Sequence, residues 1–252
     1  MRNILTPALL LLSFVAMGQI QNHEWGMGYV FSAPRGNMKE TIRNAHGVMM
    51  DFYFTPNQTR YSLGLEMSMN MYGHDKSRQT YSFEDGSTAP MDIVVNNNFY
   101  NVLLAGKYFL RQGSVQPFVT GKLGYSFYST DLNIYDPDDF DHCEPVDNDV
   151  LKKDGSAIFS VGGGLRWDIL PKKLPGMFFI NLSVNYTAGG MVNYMNVDAP
   201  NRSHAAHTSD VYAKFINTQT QVVHEHHVGN VYSSLIEMMD YRLSVSFRMP
   251  HR

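Results

Sequence analysis

Half of the ten histidines of this chain fall between residues 204 and 227. His224 and His226 are two apart, which puts both imidazoles on one face of an extended strand. His204 and His207 have a spacing that suits one helical face, and His227 adds a fifth ring. Imidazoles so placed suit zinc, copper or nickel. No H-E-x-x-H pattern accompanies them, so no ligand set is fixed. The alternative is solvated histidines with a pH-sensitive contact. His207-Thr208-Ser209-Asp210 holds the residue types of a hydrolytic triad, but adjacency in sequence is not catalytic geometry. A second set is acidic: Asp131, Asp136, Asp138, Asp139, Asp141, Glu144, Asp147 and Asp149. Oxygen ligands at this density suit calcium, yet the EF-hand spacing is absent. The alternative is a solvated acidic loop bridged to lipopolysaccharide by divalent ions. None of these sets is assigned as a catalytic, cofactor or metal site.

A third set depends on the elements that carry it. Asp51, Glu66, Lys107, Lys122, Arg166, Asp168, Arg242 and Arg248 fall on the polar faces of alternating segments, with Arg60 near one end. In residues 60–71, Tyr61, Leu63, Leu65, Met67, Met69 and Met71 alternate with Arg60, Ser62, Gly64, Glu66, Ser68 and Asn70. Successive strand side chains point to opposite sides, so one face is apolar and the other polar or small. The pattern recurs around Trp25, Phe52, Leu104, Leu123, Phe159, Leu182 and Leu243, giving eight predicted strands. Their charged faces would meet inside a barrel too narrow for a water channel, as a salt-bridged plug. The alternative is a narrow polar pore.

Connections alternate in length. Short turns are predicted at residues 55–58, 111–114 and 171–176, and long loops at 33–45, 72–97, 129–156 and 189–240. Short turns on one side and long loops on the other mark outer-membrane barrels. Aromatics near the strand ends (Trp25, Tyr61, Tyr108, Phe127, Trp167, Tyr241) fit interface girdles. The 189–240 loop carries apolar patches at residues 211–215 and 231–236. These either extend the barrel wall or dock a protein of the envelope. If they enter the wall, ten strands result.

The N-terminus reads as a cleavable signal peptide over residues 1–18. Arg2 precedes a short apolar run, and Ala16-Met17-Gly18 supplies small residues for cleavage. The rest, 19–252, forms one domain. No later apolar run reaches the ~20 residues of a spanning helix. A net charge of −3 gives no nucleic-acid footprint. The single cysteine, Cys143, allows no internal disulfide.

Val115-Gln116-Pro117-Phe118-Val119-Thr120-Gly121-Lys122-Leu123-Gly124-Tyr125-Ser126-Phe127 resembles the P-[FY]-x-x-[GA]-x-x-G-[YF] strand of small outer-membrane β-barrel proteins. Gly162-Gly163-Gly164-Leu165-Arg166-Trp167 resembles the glycine-rich strand that follows in that group. Tyr241 to Phe247 is similar to its terminal strand, although five residues follow Phe247 here. The nearest groups are the OmpA/OmpX/OmpW-like barrels and the outer-membrane β-barrel domain proteins of Bacteroidota. The resemblance implies an all-β, eight-stranded antiparallel transmembrane barrel in the outer membrane, in contact with its lipid and lipopolysaccharide. The expected role is structural or interactive, as an accessory of an envelope complex, without enzymatic activity. The alternatives are a channel for small solutes and a lipid-modifying enzyme.

Overall fold

Alternation of period two is realised as long antiparallel strands. The computed structural model describes residues 23–56, 59–82, 88–136, 145–197, 209–217 and 222–249. The expected signal peptide lies outside the described residues, as do His204, His207 and the side chains of His224, His226 and His227. The elements are β1 (His23–Pro34), α1 (Met38–Thr41), β2 (Ala45–Phe54), β3 (Tyr61–Ser82), β4 (Thr88–Phe109), β5 (Val115–Tyr135), β6 (Asp147–Asp168), β7 (Phe178–Asn196), β8 (Ser209–Asn217) and β9 (Val222–Met249). Strands β1 to β7 pair in sequence, β7 pairs with β9, and β9 closes on β1. Eight strands therefore form the closed barrel, as the alternation predicts, and β8 is an added strand.

The register shows which way each face points. Met27 pairs with Met50, Met50 with Met67, Met67 with Val102 and Val102 with Tyr125, a row of outward side chains across five strands. Leu104 and Leu123 are 69% and 67% exposed, whereas Glu66 and Lys122 are 3% and 5% exposed. Burial is inverted relative to a protein in water: the wall is apolar and the lumen charged. From Tyr61 to Met71 the outward face of β3 is apolar throughout. At ~3.3 Å per residue and a tilt of ~45°, that run rises roughly 25 Å, the height of a bilayer's apolar band. A closed barrel suits that setting because it leaves no backbone group unpaired toward lipid. Trp25, Tyr61, Tyr108 and Trp167 ring the end with short turns, and Phe31, Tyr100, Phe127 and Tyr241 mark the other edge.

The long connections are corrected. Residues 72–97 and 129–156 are largely wall, not loop, and so are the two ends of the third stretch, 189–196 and 230–240. β3 and β4 stay paired from Tyr61↔Tyr108 to Ser82↔Thr88, across a bulge between Met71 and Gly73. β5 and β6 continue to Ile134↔Asp147, with an irregularity at Thr130/Asp131. β7 and β9 pair out to Asn196↔Asn230. The ten-strand alternative fails as well. Val231 pairs with Met195 of β7 and also with Ser209 of β8, so β8 takes the edge of β9 that β1 leaves free beyond Pro34.

Candidate functional site

The lumen is built from residues that alternate with the lipid-facing ones. At the short-turn end, Glu24 accepts hydrogen bonds from Arg166 Nη1 (2.8 Å), Arg248 Nη2 (3.0 Å) and Ser246 Oγ (2.8 Å). The Arg166 guanidinium lies 4.0 Å from the Phe109 ring centroid and 4.3 Å from that of Phe179, a stacking that suits its planar, weakly hydrated cation. Asp168 ends β6 by accepting from the backbone N–H groups of Leu170 and Gly176, so it fixes a turn.

At mid-height Glu66 is the hub. Lys122 Nζ approaches at 2.6 Å, Arg242 Nη1 pairs with the same oxygen, and Tyr53 Oη donates to the other. Lys107 has its Nζ 3.5 Å above the Tyr53 ring. Asp51 leans over Gly26, where a Cβ would stand 2.4 Å from Asp51 Oδ1, so a larger residue there would have to displace the Asp51 carboxylate. Further along, Asp240 accepts from Ser32 Oγ (2.5 Å) and Thr187 Oγ1 (2.7 Å), with Arg242 Nη2 at 3.6 Å. Glu24, Asp51, Glu66, Asp168 and Asp240 are matched one for one by Lys107, Lys122, Arg166, Arg242 and Arg248. Among the described residues the lumen is thus neutral in formal charge, as burial of so many ions demands.

Beyond the lipid band the lumen changes character. Tyr72, Phe99, Tyr128, Tyr194 and Tyr232 form an aromatic cap, with Phe99–Tyr128 centroids 5.4 Å apart and Tyr128–Tyr194 at 5.9 Å. The short helix α1 folds onto it. Met38 and Ile42 are buried in the cap, Thr41 Oγ1 meets Tyr194 Oη at 2.5 Å, and the Asn196 amide donates to the Thr41 carbonyl. Gly36 makes the turn into α1 at φ 53°, a backbone conformation that favours glycine. A second apolar cluster follows: Met91, Ile93, Val95, Leu132 and Ile134.

Most predicted inward charges come together here. Arg60 does not, because it is exposed beside the short turn. Glu24 and Asp240 were missed, although each lies on the polar phase of a strand; Glu24 precedes Trp25 in the pattern already read. In the 231–236 patch, Tyr232 and Ile236 belong to the cap cluster, Val231 is buried where β9 pairs with both β7 and β8, and Leu235 is exposed. The 211–215 patch forms β8, and its side chains lie outside the described residues after Ser209. Asp131, Asp147 and Asp149 lie on β5 and β6; Asp138, Asp139, Asp141 and Glu144 lie outside the described residues. Among the described residues, no three His, Cys, Asp or Glu side chains form a metal-holding group.

Outside the wall, at the edge of the lipid band, Tyr100, Phe127, Tyr128, Ser129, Asp131, Lys153 and Asp154 line a groove of about 500 Å³. Burial works to raise the Asp154 pKa. The N–H groups of Asn193 and Gly155 and the Asn193 amide outweigh it and hold the carboxyl below the usual range.

No protein-family description matches the chain, and no curated protein matches it by sequence. Solved structures that it is similar to include the following three. Neisserial surface protein A is 11% identical at a TM-score of 0.45, over 90% of this chain and 95% of that one. Ail, the attachment invasion locus protein of Yersinia pestis, solved with the heparin analogue sucrose octasulfate, is 13% identical at 0.38, over 91% and 99%. The N-terminal barrel of Pseudomonas aeruginosa OprF is 13% identical at 0.37, over 92% and 100%.

Proposed function

We propose that this chain is an integral outer-membrane barrel with a closed lumen, acting through its outer end as a structural or interaction component of the cell envelope, and not as a pore or an enzyme. One observation carries the reading. The ion network around Glu24, the hub at Glu66 and the aromatic cap over Tyr194 follow one another along the axis, and each fills the lumen with buried side chains. An eight-stranded barrel has room for side chains and little else. A solute path would require both parting Glu66 from two cations and lifting α1 off the cap. The outer membrane follows from the closed antiparallel wall and the short turns at one end with extended strands at the other. What remains for a partner is the extension beyond the lipid band, where β3 to β7 and β9 stand clear of the bilayer and β8 adds a further edge.

Purified protein in planar bilayers tests the closed lumen: it should show no sustained conductance steps, and regular steps would overturn it. The interaction role is tested by removing residues 198–229 and no more, because 189–197 and 230–240 are barrel wall. The trimmed barrel should fold and lose a stoichiometric envelope protein that the full chain keeps in mild detergent. If both forms carry the same companions, or neither carries one, the interaction role is wrong.

A further inference from the structure

The three short turns form one arc at the inner end of the barrel. The Phe109 N–H donates to the Arg60 carbonyl at 2.6 Å, which sets the β2–β3 turn beside the β4–β5 turn. The Asp168 N–H donates to the Ser114 carbonyl at 2.8 Å, which sets the β4–β5 turn beside the β6–β7 turn. Every exposed ionisable side chain described on this arc is a cation: Arg60, Arg111, Lys172 and Lys173. Two carboxylates stand near it, and both are buried and engaged. Asp168 accepts from the backbone N–H groups of Leu170 and Gly176, and Glu24 accepts from Arg166 and Arg248. None of the four exposed cations has a carboxylate partner among the described residues. The opposite end is the reverse: beyond the lipid band β5 and β6 carry Asp131, Asp147, Asp149 and Asp154 against Lys152 and Lys153.

Apolar side chains share the arc with the cations. Leu110 precedes Arg111, and Ile169 and Leu174 flank Lys172 and Lys173; all three apolar residues are exposed, as is Val115. Trp25, Tyr61, Tyr108 and Trp167 stand at the same end with their rings exposed. Turns standing wholly in water would gain nothing by presenting these groups. At the headgroup layer of a bilayer the apolar chains and rings reach toward the acyl region, and the long cationic side chains keep their heads at the phosphates. A polymer of the cell wall, held in water beyond the bilayer, would leave the apolar groups uncovered.

We propose that this arc binds anionic phospholipids of the inner leaflet, gathering headgroups of net negative charge in preference to zwitterionic ones. The selection follows from the missing carboxylates. A phosphate diester meets Arg60, Arg111, Lys172 or Lys173, whereas the ammonium of a zwitterionic headgroup finds no exposed carboxylate on the arc and is repelled by the same cations. Paired turns bring Arg60 and Arg111 to one stretch of the rim and Lys172 and Lys173 to another, so the arc holds more than one lipid. This assignment rests on the barrel lying in the outer membrane and is independent of whether its lumen conducts.

The test uses the chain's own reporters. Its two tryptophans, Trp25 and Trp167, both lie at this end, so their fluorescence reports the arc whichever leaflet of a vesicle it enters. The mature full chain is reconstituted in vesicles of equimolar phosphatidylethanolamine and phosphatidylglycerol, with bromine on the acyl chains of one lipid or of the other. Quenching should show phosphatidylglycerol enriched over phosphatidylethanolamine around the tryptophans by about fivefold. The fourfold variant Arg60→Gln, Arg111→Gln, Lys172→Gln, Lys173→Gln should bring the ratio to that of the bulk. Lys172→Gln with Lys173→Gln alone, in a turn outside every strand, should lower it partway. Lys152→Gln with Lys153→Gln, at the other end, should leave it unchanged. Equal quenching by the two lipids in the wild type overturns the proposal with no variant needed. Enrichment that survives the fourfold variant overturns it too. Equal quenching together with sedimentation of the wild type on purified murein sacculi, lost in the fourfold variant, would assign the arc to the cell wall instead. Quenching by neither lipid would overturn the membrane placement, and this proposal with it.

Discussion

Strand β4 passes through two solvents, and its two halves are built on opposite rules. In the half from Tyr100 to Phe109, the outward residues Val102, Leu104 and Tyr108 are apolar and Asn101 and Lys107 point inward. In the half from Met91 to Phe99 the inward residues are Met91, Ile93, Val95 and Phe99, and Asp92, Asn96 and Asn98 take the outer face. The hydrogen-bond ladder to β5 runs through the change without a break, from Asp92↔Tyr135 to Phe109↔Phe118. The backbone is indifferent to the change and the side chains are not. Where water lies outside, apolar groups gain by turning inward. Where lipid lies outside, that gain disappears, and polar groups must turn inward to find partners. The molecule is a water-soluble β-structure stacked on an inverted one, sharing a single wall.

The sharpest way to break that comparison is at the hub of the inverted half. Glu66→Gln leaves Lys122 and Arg242 buried against each other with their shared counter-charge gone. Removing one partner of a buried ion set typically costs about 3–5 kcal/mol, because the remaining charge is uncompensated. The denaturant midpoint of the barrel in vesicles should fall accordingly. A loss below about 1 kcal/mol would mean that water already reaches the lumen, and the closed-lumen reading would fall with it.

The second test sets the halves against each other on one face of one strand. Leu104→Arg places a guanidinium in the middle of the lipid band, where a cation costs about 2–4 kcal/mol. Val94→Arg makes the same change on the same face of β4, beyond the lipid edge, and should move stability by no more than about 0.5 kcal/mol. Equal costs at the two sites would show that the lipid edge is misplaced.

The same inversion explains what could be read from the sequence. The lipid-spanning halves were legible because apolar residues there keep one phase: Tyr61 to Met71 on β3, and Tyr100 to Tyr108 on β4. Beyond the lipid the alternation persists but the apolar phase flips. Val95, Ile93 and Met91 are odd-numbered, whereas Val102 and Leu104 are even-numbered. A reader following one phase sees the pattern dissolve and writes a loop. The flip itself, centred on Phe99 and Tyr100, was the available signal. Most inward charges were legible by phase. Their pairing was not, because Glu66 and Arg242 are 176 residues apart. The outer groove was not legible either. Asp131 read as one of an acidic run, and Lys153 meets it only through the register of β5 with β6.

The smallest expected effect lies on the outer face of the water-exposed half. Asp92 pairs with Lys76 Nζ at 2.9 Å and Arg78 Nε at 2.7 Å. The hydrogen bonds from Arg78 and Lys76 hold its carboxyl well below the usual carboxylate range. With the folded pKa depressed, the stabilisation is fully present above the ordinary value of ~3.9 and is lost as pH falls through the folded value. Both cations are themselves half or more exposed, at 52% and 62%, so water screens the pair and the effect is local and small. Acidification below about pH 4 should loosen the β3–β4 extension and leave the lipid-spanning half untouched. Pepsin, active in that range, provides the readout. Wild type should become more readily cut in residues 72–97 between pH 4 and pH 2, relative to Asp92→Asn, which lacks the titrating group and should be cut at nearly the same rate throughout. If the two proteins change in parallel, Asp92 does not hold the extension. If cleavage appears instead within residues 61–71 or 100–109, the two halves do not respond separately to water, and the division drawn through Tyr100 is wrong.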